Sequence, residues 1–119
     1  VWEAALSASK FKADHLIGIL DNNGVQLDGT LEDIMPMGDI KAKWEAFGWN
    51  VIPCDGHDVE DICRAVEEAK MTADKPSLIL AKTVKGKGVS FMEGKNTWHG
   101  KAIGDQEYAQ AKAELGGDR

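Results

Sequence analysis

Oxygen-bearing side chains gather where an apolar run stops: Leu16-Ile17-Gly18-Ile19-Leu20 is followed at once by Asp21-Asn22-Asn23-Gly24. A buried strand ending on amides and carboxylates at a glycine turn presents several oxygen ligands together. Such oxygens suit a hard cation. Mg²⁺ in particular takes one or two protein ligands and completes its octahedron with water and phosphate oxygens, so the turn points to a phosphate-bearing cofactor. Two later stretches could meet one. In Lys85-Gly86-Lys87-Gly88 the glycines let the backbone approach a phosphate and an ammonium group faces it as a point charge. His99, the only histidine between Thr83 and Gly104, can hydrogen-bond a phosphate or transfer a proton near neutral pH.

Each stretch also has a plainer reading. Asn-Asn-Gly is a turn signal, Lys-Gly-Lys-Gly a solvated loop and His99 a surface side chain. Trp98 reads as a packing anchor for its loop, His57 as a residue at the start of a helix and His15 as a surface residue. Asp21 and Asp28 flank the turn without the partner carboxylate that general acid/base work needs, so both read as structural.

The elements that must position these residues follow from periodicity. Residues 1–12 carry Trp2, Ala5, Leu6 and Phe11 at helical spacing, with no start signal before Val1. Leu16 to Leu20 is the first strand, and Thr30 to Gly38, with Pro36, reads as loop. Asp39 caps a helix that buries Ile40, Trp44 and Phe47 and stops at Gly48. Val51 to Cys54 is a second strand. Asp58 caps a longer helix whose expected buried stripe is Val59, Ile62, Cys63, Val66 and Ala69. Pro76 closes the connection to a third strand, Leu78 to Ala81. From Thr83 to Gly104 the pattern lapses into a glycine- and lysine-rich loop of a length that is usually functional. Asp105 is the expected cap of a last helix stopped by Gly116-Gly117. Strand, helix, strand, helix, strand builds a parallel sheet with helices on both faces, an α/β fold whose ligands lie at the carboxyl ends of the strands.

The composition excludes several classes. With 119 residues and a formal net charge of −6, the chain is one domain or part of one, without the basic excess that nucleic-acid binding needs. No apolar run reaches membrane-span length and no signal-peptide order opens the chain, so a soluble cytoplasmic protein is expected. Cys54 and Cys63 have neither zinc spacing nor a disulfide framework, and read as buried free thiols.

Asp21-Asn22-Asn23-Gly24-Val25-Gln26-Leu27-Asp28-Gly29 is followed in order by Lys43-Trp44-Glu45-Ala46-Phe47-Gly48-Trp49, Asp55-Gly56-His57-Asp58, Lys82-Thr83-Val84-Lys85-Gly86-Lys87-Gly88-Val89 and Trp98-His99-Gly100-Lys101. Together they resemble the thiamine-diphosphate-binding domain of transketolases, from Val1 to the C-terminus. The resemblance implies that the Asn23 side chain and the Val25 backbone carbonyl bind Mg²⁺, or another divalent cation such as Ca²⁺. It singles out Lys85, rather than Lys82 or Lys87, as a thiamine diphosphate contact. It gives His99 a place against both cofactor and sugar, a cofactor-binding role with help to catalysis.

The third family ligand is the Asp of a Gly-Asp-Gly triplet upstream of the paired Asn, which lies outside this sequence. Residues 1–119 are thus expected to be the later half of a diphosphate-binding domain, incomplete at its N-terminus. The implied activity is transfer of a two-carbon ketol unit between ketose and aldose phosphates, as in the pentose phosphate pathway. The implied partners are the upstream segment and a C-terminal subunit whose pyrimidine-binding domain brings the activating glutamate, in a hetero-oligomer with a dimeric core. Two alternatives accompany this reading: another thiamine-diphosphate-dependent ketol transferase, and a truncated non-catalytic structural or assembly subunit.

Overall fold

A computed structural model describes residues 1–116. The chain divides into two compact units, one formed by Val1–Asn22 and Met37–Thr83, the other by Asn23–Pro36 and the residues from Val84 onward.

The first unit is a three-layer α/β arrangement. Strands β1 (Ile17–Asn22), β4 (Asn50–Asp55) and β5 (Ser77–Lys82) form a parallel sheet in the order β1-β5-β4, with Ile17 and Asn50 both opposite Ser77. Alternation along the strands supplies two faces. On one, Ile52, Cys54, Ile79 and Ala81 pack with Ala65 and Ala69 of helix α4 (Val59–Lys70). On the other, Val51 and Leu78 pack with Ala5 of α1 (Trp2–Lys10) and Trp44 of α3 (Ile40–Ala46). Helices on both faces are thus as expected from the pattern.

Aromatic rings fill the second face. Trp44 meets Trp49 edge-on at 4.9 Å and Trp2 stacks on Phe47 at 5.1 Å. Trp49 Nε1 donates to the Ala5 carbonyl at 3.0 Å in a buried setting, so the indole fastens α1 while filling the core.

The caps hold their places. Asp39 accepts the Ala42 N–H at 2.9 Å, and Asp58 accepts those of Glu60 and Asp61. Edge strand β4 tolerates Pro53, whose carbonyl takes a hydrogen bond from Arg64 at 3.1 Å. Asp61 accepts the Asp55 N–H at 2.7 Å and bonds Arg64, and those contacts, the backbone one first, lower its carboxyl below the ordinary range.

Three details of the packing differ from expectation. The α4 stripe is Ile62, Ala65, Val66 and Ala69, while Val59 and Cys63 are exposed. Two alanines at 0 % exposure let the helix lie close to the sheet, and that close approach rotates Val59 and Cys63 outward. Cys54 is buried as expected, but Cys63 is an exposed thiol. Leu6 in α1 and Phe11 just beyond it are exposed, and the face that meets the sheet centres on Ala5 and Ala8.

The second unit contains a hairpin of β2 (Val25–Gln26) and β3 (Gly29–Thr30), the four-residue helix α2 (Leu31–Ile34), a single 3-10 turn at Asn96–Trp98 and helix α5 (Asp105–Glu114). Helix α2 occupies part of the expected loop over Thr30 to Gly38, and the hairpin before it was not expected: Thr30 Oγ1 accepts the Asp33 N–H at 3.2 Å and starts a helical turn before Pro36. The cap of α5 is Gly104 rather than Asp105. Glu107 reaches back to the Gly104 N–H at 2.9 Å, a bond that fixes the first turn without a side chain at the cap. Gly116 takes the left-handed conformation expected of a helix stop, and Gly117 lies outside the described residues. Among the described residues no helix is long and apolar enough to cross a membrane.

Candidate functional site

All four residues singled out from the sequence, Asn23, Val25, Lys85 and His99, belong to the second unit. Asn23 follows β1 directly in the chain and is half-buried. Its Oδ1 accepts the Val25 N–H at 3.0 Å, closing an Asx turn across Gly24, which sits at φ +75°. Hydrogen-bonded and non-bonded pairs alternate along an antiparallel ladder. The Leu31 N–H donates to the Gly24 carbonyl at 2.9 Å, so the neighbouring pair Val25–Thr30 is a non-bonded one. Both the N–H and the C=O of Val25 therefore point away from β3. The Asn23 carboxamide oxygen, bonded to that N–H, lies on the same outer edge as the Val25 carbonyl.

Hard oxygen donors on one edge are the donor type that Mg²⁺ or Ca²⁺ takes. A carboxamide oxygen has two lone pairs, so an acceptor in an Asx turn can also face a cation. Two protein donors leave the rest of an octahedron to phosphate and water, which is how Mg²⁺ is held beside a diphosphate. Among the described residues no group of three or more His, Cys, Asp or Glu side chains is placed to hold a metal by itself. The residues present fit a cation shared with a phosphate-bearing molecule.

The basic stretch is a closed loop rather than a slack one. The Gly94 N–H donates to the Lys85 carbonyl at 2.8 Å, so the ends of residues 85–94 meet as in a compact Ω-loop. Val89 is buried inside it, and Lys87 pairs with Glu93 at 3.1 Å. That pairing commits Lys87 to a carboxylate, whereas the half-buried Lys85, like the exposed Lys82, has no ion pair among the described residues.

Trp98 anchors the following segment as its sequence suggests. Its Nε1 donates to the Phe91 carbonyl at 2.9 Å, its ring lies 5.0 Å from that of Phe91, and Lys101 Nζ sits 3.9 Å over it. His99 ends the 3-10 turn, exposed, with its N–H on the Asn96 carbonyl at 2.9 Å. Asn96 Nδ2 in turn donates to the Leu27 carbonyl at 3.0 Å. The hairpin that follows Asn23 is thereby tied to the segment that carries His99, and Phe91 and Trp98 tie that segment to the Lys85 loop.

Sequence reasoning missed two residues here. Asn96, the tether, sits in a loop and its type alone announces nothing. Gln26 is the other: its Nε2 is buried with no hydrogen-bond partner among the described residues, one position after Val25. A buried donor left unpaired costs about 1–3 kcal/mol, so Gln26 Nε2 calls for a partner that the described residues do not supply. The His57 N–H donates to Asp55 Oδ1 at 2.9 Å, and Asp21 accepts the Thr83 hydroxyl. The His15 ring is fully exposed.

The model of the transketolase thiamine diphosphate binding domain matches residues 1–119. The chain is 45% identical over 115 residues to the 6-deoxy-6-sulfo-D-fructose transketolase subunit SqwG of Clostridium sp. (strain MSTE9), covering 97% of this chain and 42% of that relative. It is 38% identical over 115 residues to an apulose-4-phosphate transketolase subunit of Phocaeicola vulgatus, covering 97% of this chain and 41% of that one. The crystal structure of transketolase from Campylobacter jejuni superposes with a TM-score of 0.89 at 36% identity, over 97% of this chain and 18% of that chain. The chain thus spans well under half the length of these relatives.

Proposed function

The chain belongs to the family of transketolase thiamine-diphosphate-binding domains, and from that membership we propose that it is the later half of the diphosphate-binding domain of a split transketolase. The enzyme moves a two-carbon ketol unit between ketose and aldose phosphates in the cytoplasm, in sugar rearrangements of the pentose phosphate type. The observation that carries the reading is the shared edge on which the Asn23 carboxamide oxygen and the Val25 carbonyl lie.

Bound thiamine diphosphate supplies the carbanion chemistry; the protein holds, orients and shields it. Asn23 and Val25 donate oxygens to Mg²⁺ or an equivalent divalent cation. Lys85 offsets the charge of the diphosphate from its closed loop. His99, exposed beyond Trp98, hydrogen-bonds cofactor and sugar and assists proton movement at the sugar hydroxyls. An upstream segment with a Gly-Asp-Gly motif adds the remaining metal ligand. The pyrimidine-binding domain comes from a C-terminal subunit, in a hetero-oligomer built on a dimeric core. Two relatives whose names call them transketolase subunits support the split organisation.

Those relatives are named for different sugars, 6-deoxy-6-sulfo-D-fructose and apulose-4-phosphate. That difference favours a second reading in which the donor is a modified ketose, and steady-state rates across a panel of ketose donors separate the two. The primary test is thiamine diphosphate binding with and without Mg²⁺ in the assembled enzyme carrying Asn23→Ala. Loss of the Mg²⁺-dependent part is expected. Binding equal to wild type would sink the metal assignment, and an assembled enzyme inert toward every ketose would leave only a structural role.

A further inference from the structure

Helix α5 has no buried residue, so core packing does not explain why it is docked. What it does make is a ring of hydrogen bonds at its last turn. The Glu114 carboxylate accepts the Ser90 N–H at 2.6 Å, the Ser90 hydroxyl at 2.7 Å and Gln110 Nε2 at 2.7 Å. Gln110 Nε2 also donates to Ser90 Oγ at 3.2 Å, which closes the ring. Beside it, a methyl group placed on Gly88 would lie 3.2 Å from Leu115 Cδ2, so the helix end rests against the loop at Gly88 as well as at Ser90.

These contacts hold the carboxyl group of Glu114 below the ordinary range, the Ser90 hydroxyl contributing most, then Gln110 and the Ser90 N–H. At neutral pH the clamp is an ionised carboxylate, and hydrogen bonds to an ionised acceptor are roughly twice as strong as neutral ones. Its target lies inside the loop that Lys85 and Gly94 close.

We propose that Glu114 is a positioning residue for the diphosphate-binding loop: by gripping Ser90 from α5 it fixes the loop backbone that presents Lys85 to the diphosphate. The inference rests on the reading of Lys85 given above. A loop ordered before binding loses less conformational freedom on binding, and the difference appears as affinity.

The test uses the assembled enzyme with Mg²⁺. Thiamine diphosphate is titrated calorimetrically into wild type, Glu114→Ala, Glu114→Gln and Ser90→Ala, and amide hydrogen exchange is followed on the same proteins before cofactor is added. Glu114→Ala is expected to weaken thiamine diphosphate roughly tenfold, the scale of one lost charge-assisted hydrogen bond, and to speed exchange across residues 85–94. Exchange in β4 and α4 stays as in wild type. Glu114→Gln keeps one acceptor oxygen but loses the charge, and recovers only part of the affinity.

Faster exchange with unchanged affinity would make the clamp purely structural and overturn the proposal, as would unchanged exchange. Should Glu114→Ala exchange faster everywhere, Ser90→Ala, which removes only a hydroxyl, decides by the same two readouts. Wild type that binds no thiamine diphosphate overturns the proposed function and this inference with it, whereas wild-type binding with unaltered variants overturns this inference alone.

Discussion

Replacing Gly86 by alanine should open the Lys85 loop while leaving the parallel sheet intact. Gly86 sits at φ +69°, and a methyl group there would lie 2.8 Å from Met92 Cβ, 2.9 Å from the Met92 carbonyl oxygen and 3.0 Å from its carbonyl carbon. The left-handed conformation alone costs an L-residue about 1–2 kcal/mol. Forcing a methyl against main-chain atoms that cannot swing aside adds about 1–3 kcal/mol. The combined penalty of about 2–5 kcal/mol exceeds the ~1 kcal/mol that a single backbone hydrogen bond such as Gly94 to Lys85 returns.

Gly94 supplies the control. At φ +72° it carries the same dihedral strain, but nothing lies within 4 Å of an added methyl. Gly86→Ala should therefore weaken thiamine diphosphate by more than tenfold and Gly94→Ala by clearly less, with faster amide exchange confined to residues 84–95. Equal effects of the two substitutions would show that the Met92 contact is irrelevant. An unchanged Gly86→Ala affinity would refute the idea that loop closure matters to binding at all.

Other outcomes follow from the same contacts. Asn96→Ala removes the bond to the Leu27 carbonyl and should raise KM for the sugar severalfold, with thermal stability altered by less than about 1 kcal/mol at this partly exposed position; Asn96→Asp, which cannot donate, should behave alike in steady-state assays. Trp49→Phe keeps an aromatic ring but loses the indole bond to the Ala5 carbonyl and part of the core volume, and should lower stability to urea by about 1–3 kcal/mol. The carboxyl of Glu107 is held down first by the Gly104 N–H and then by Lys101. Its folded-state pKa lies below the unfolded value, so its contribution to stability is complete above the ordinary carboxylate range and fades as pH falls through the lowered value. Urea midpoints of wild type and Glu107→Gln should therefore differ at pH 7 and converge once the pH falls below the lowered value.

The sheet and its helices were legible because burial on both sides writes itself into the sequence as short β-rich apolar runs separated by capped amphipathic helices. Asp39, Asp58 and Gly48 mark boundaries by side-chain and backbone chemistry that acts locally, and they fell where expected. Val59 and Cys63 were misassigned because periodicity fixes a stripe only to within one neighbouring column, and two fully buried alanines moved its centre. The hairpin was invisible for a different reason: two-residue strands carry no alternation to read. For the site, the oxygen cluster at Asn23 could be seen from residue types. The Val25 carbonyl, the second ligand proposed, could not, since a main-chain oxygen leaves no mark on side-chain identity; its outward direction emerges only from the ladder pairing. The tether from Asn96 and the grip of Glu114 on Ser90 join residues far apart in sequence, and no local pattern encodes them.

The discontinuity of the second unit sets the order in which the molecule can be made. Asn23–Pro36 leaves the ribosome before its partners, which begin at Val84, after the whole of Met37–Thr83. Left to chance, joining the two segments means closing a long loop against its entropy. Parallel pairing removes that obstacle, because Asn22 and Lys82 are opposite one another in the sheet, so the chain emerges from β1 and β5 side by side. Assembly of the first unit is thus the step that brings the early turn within reach of the late loop. Nascent chains halted before α5 should already protect the sheet from proteases while lacking the grip of Glu114 on Ser90.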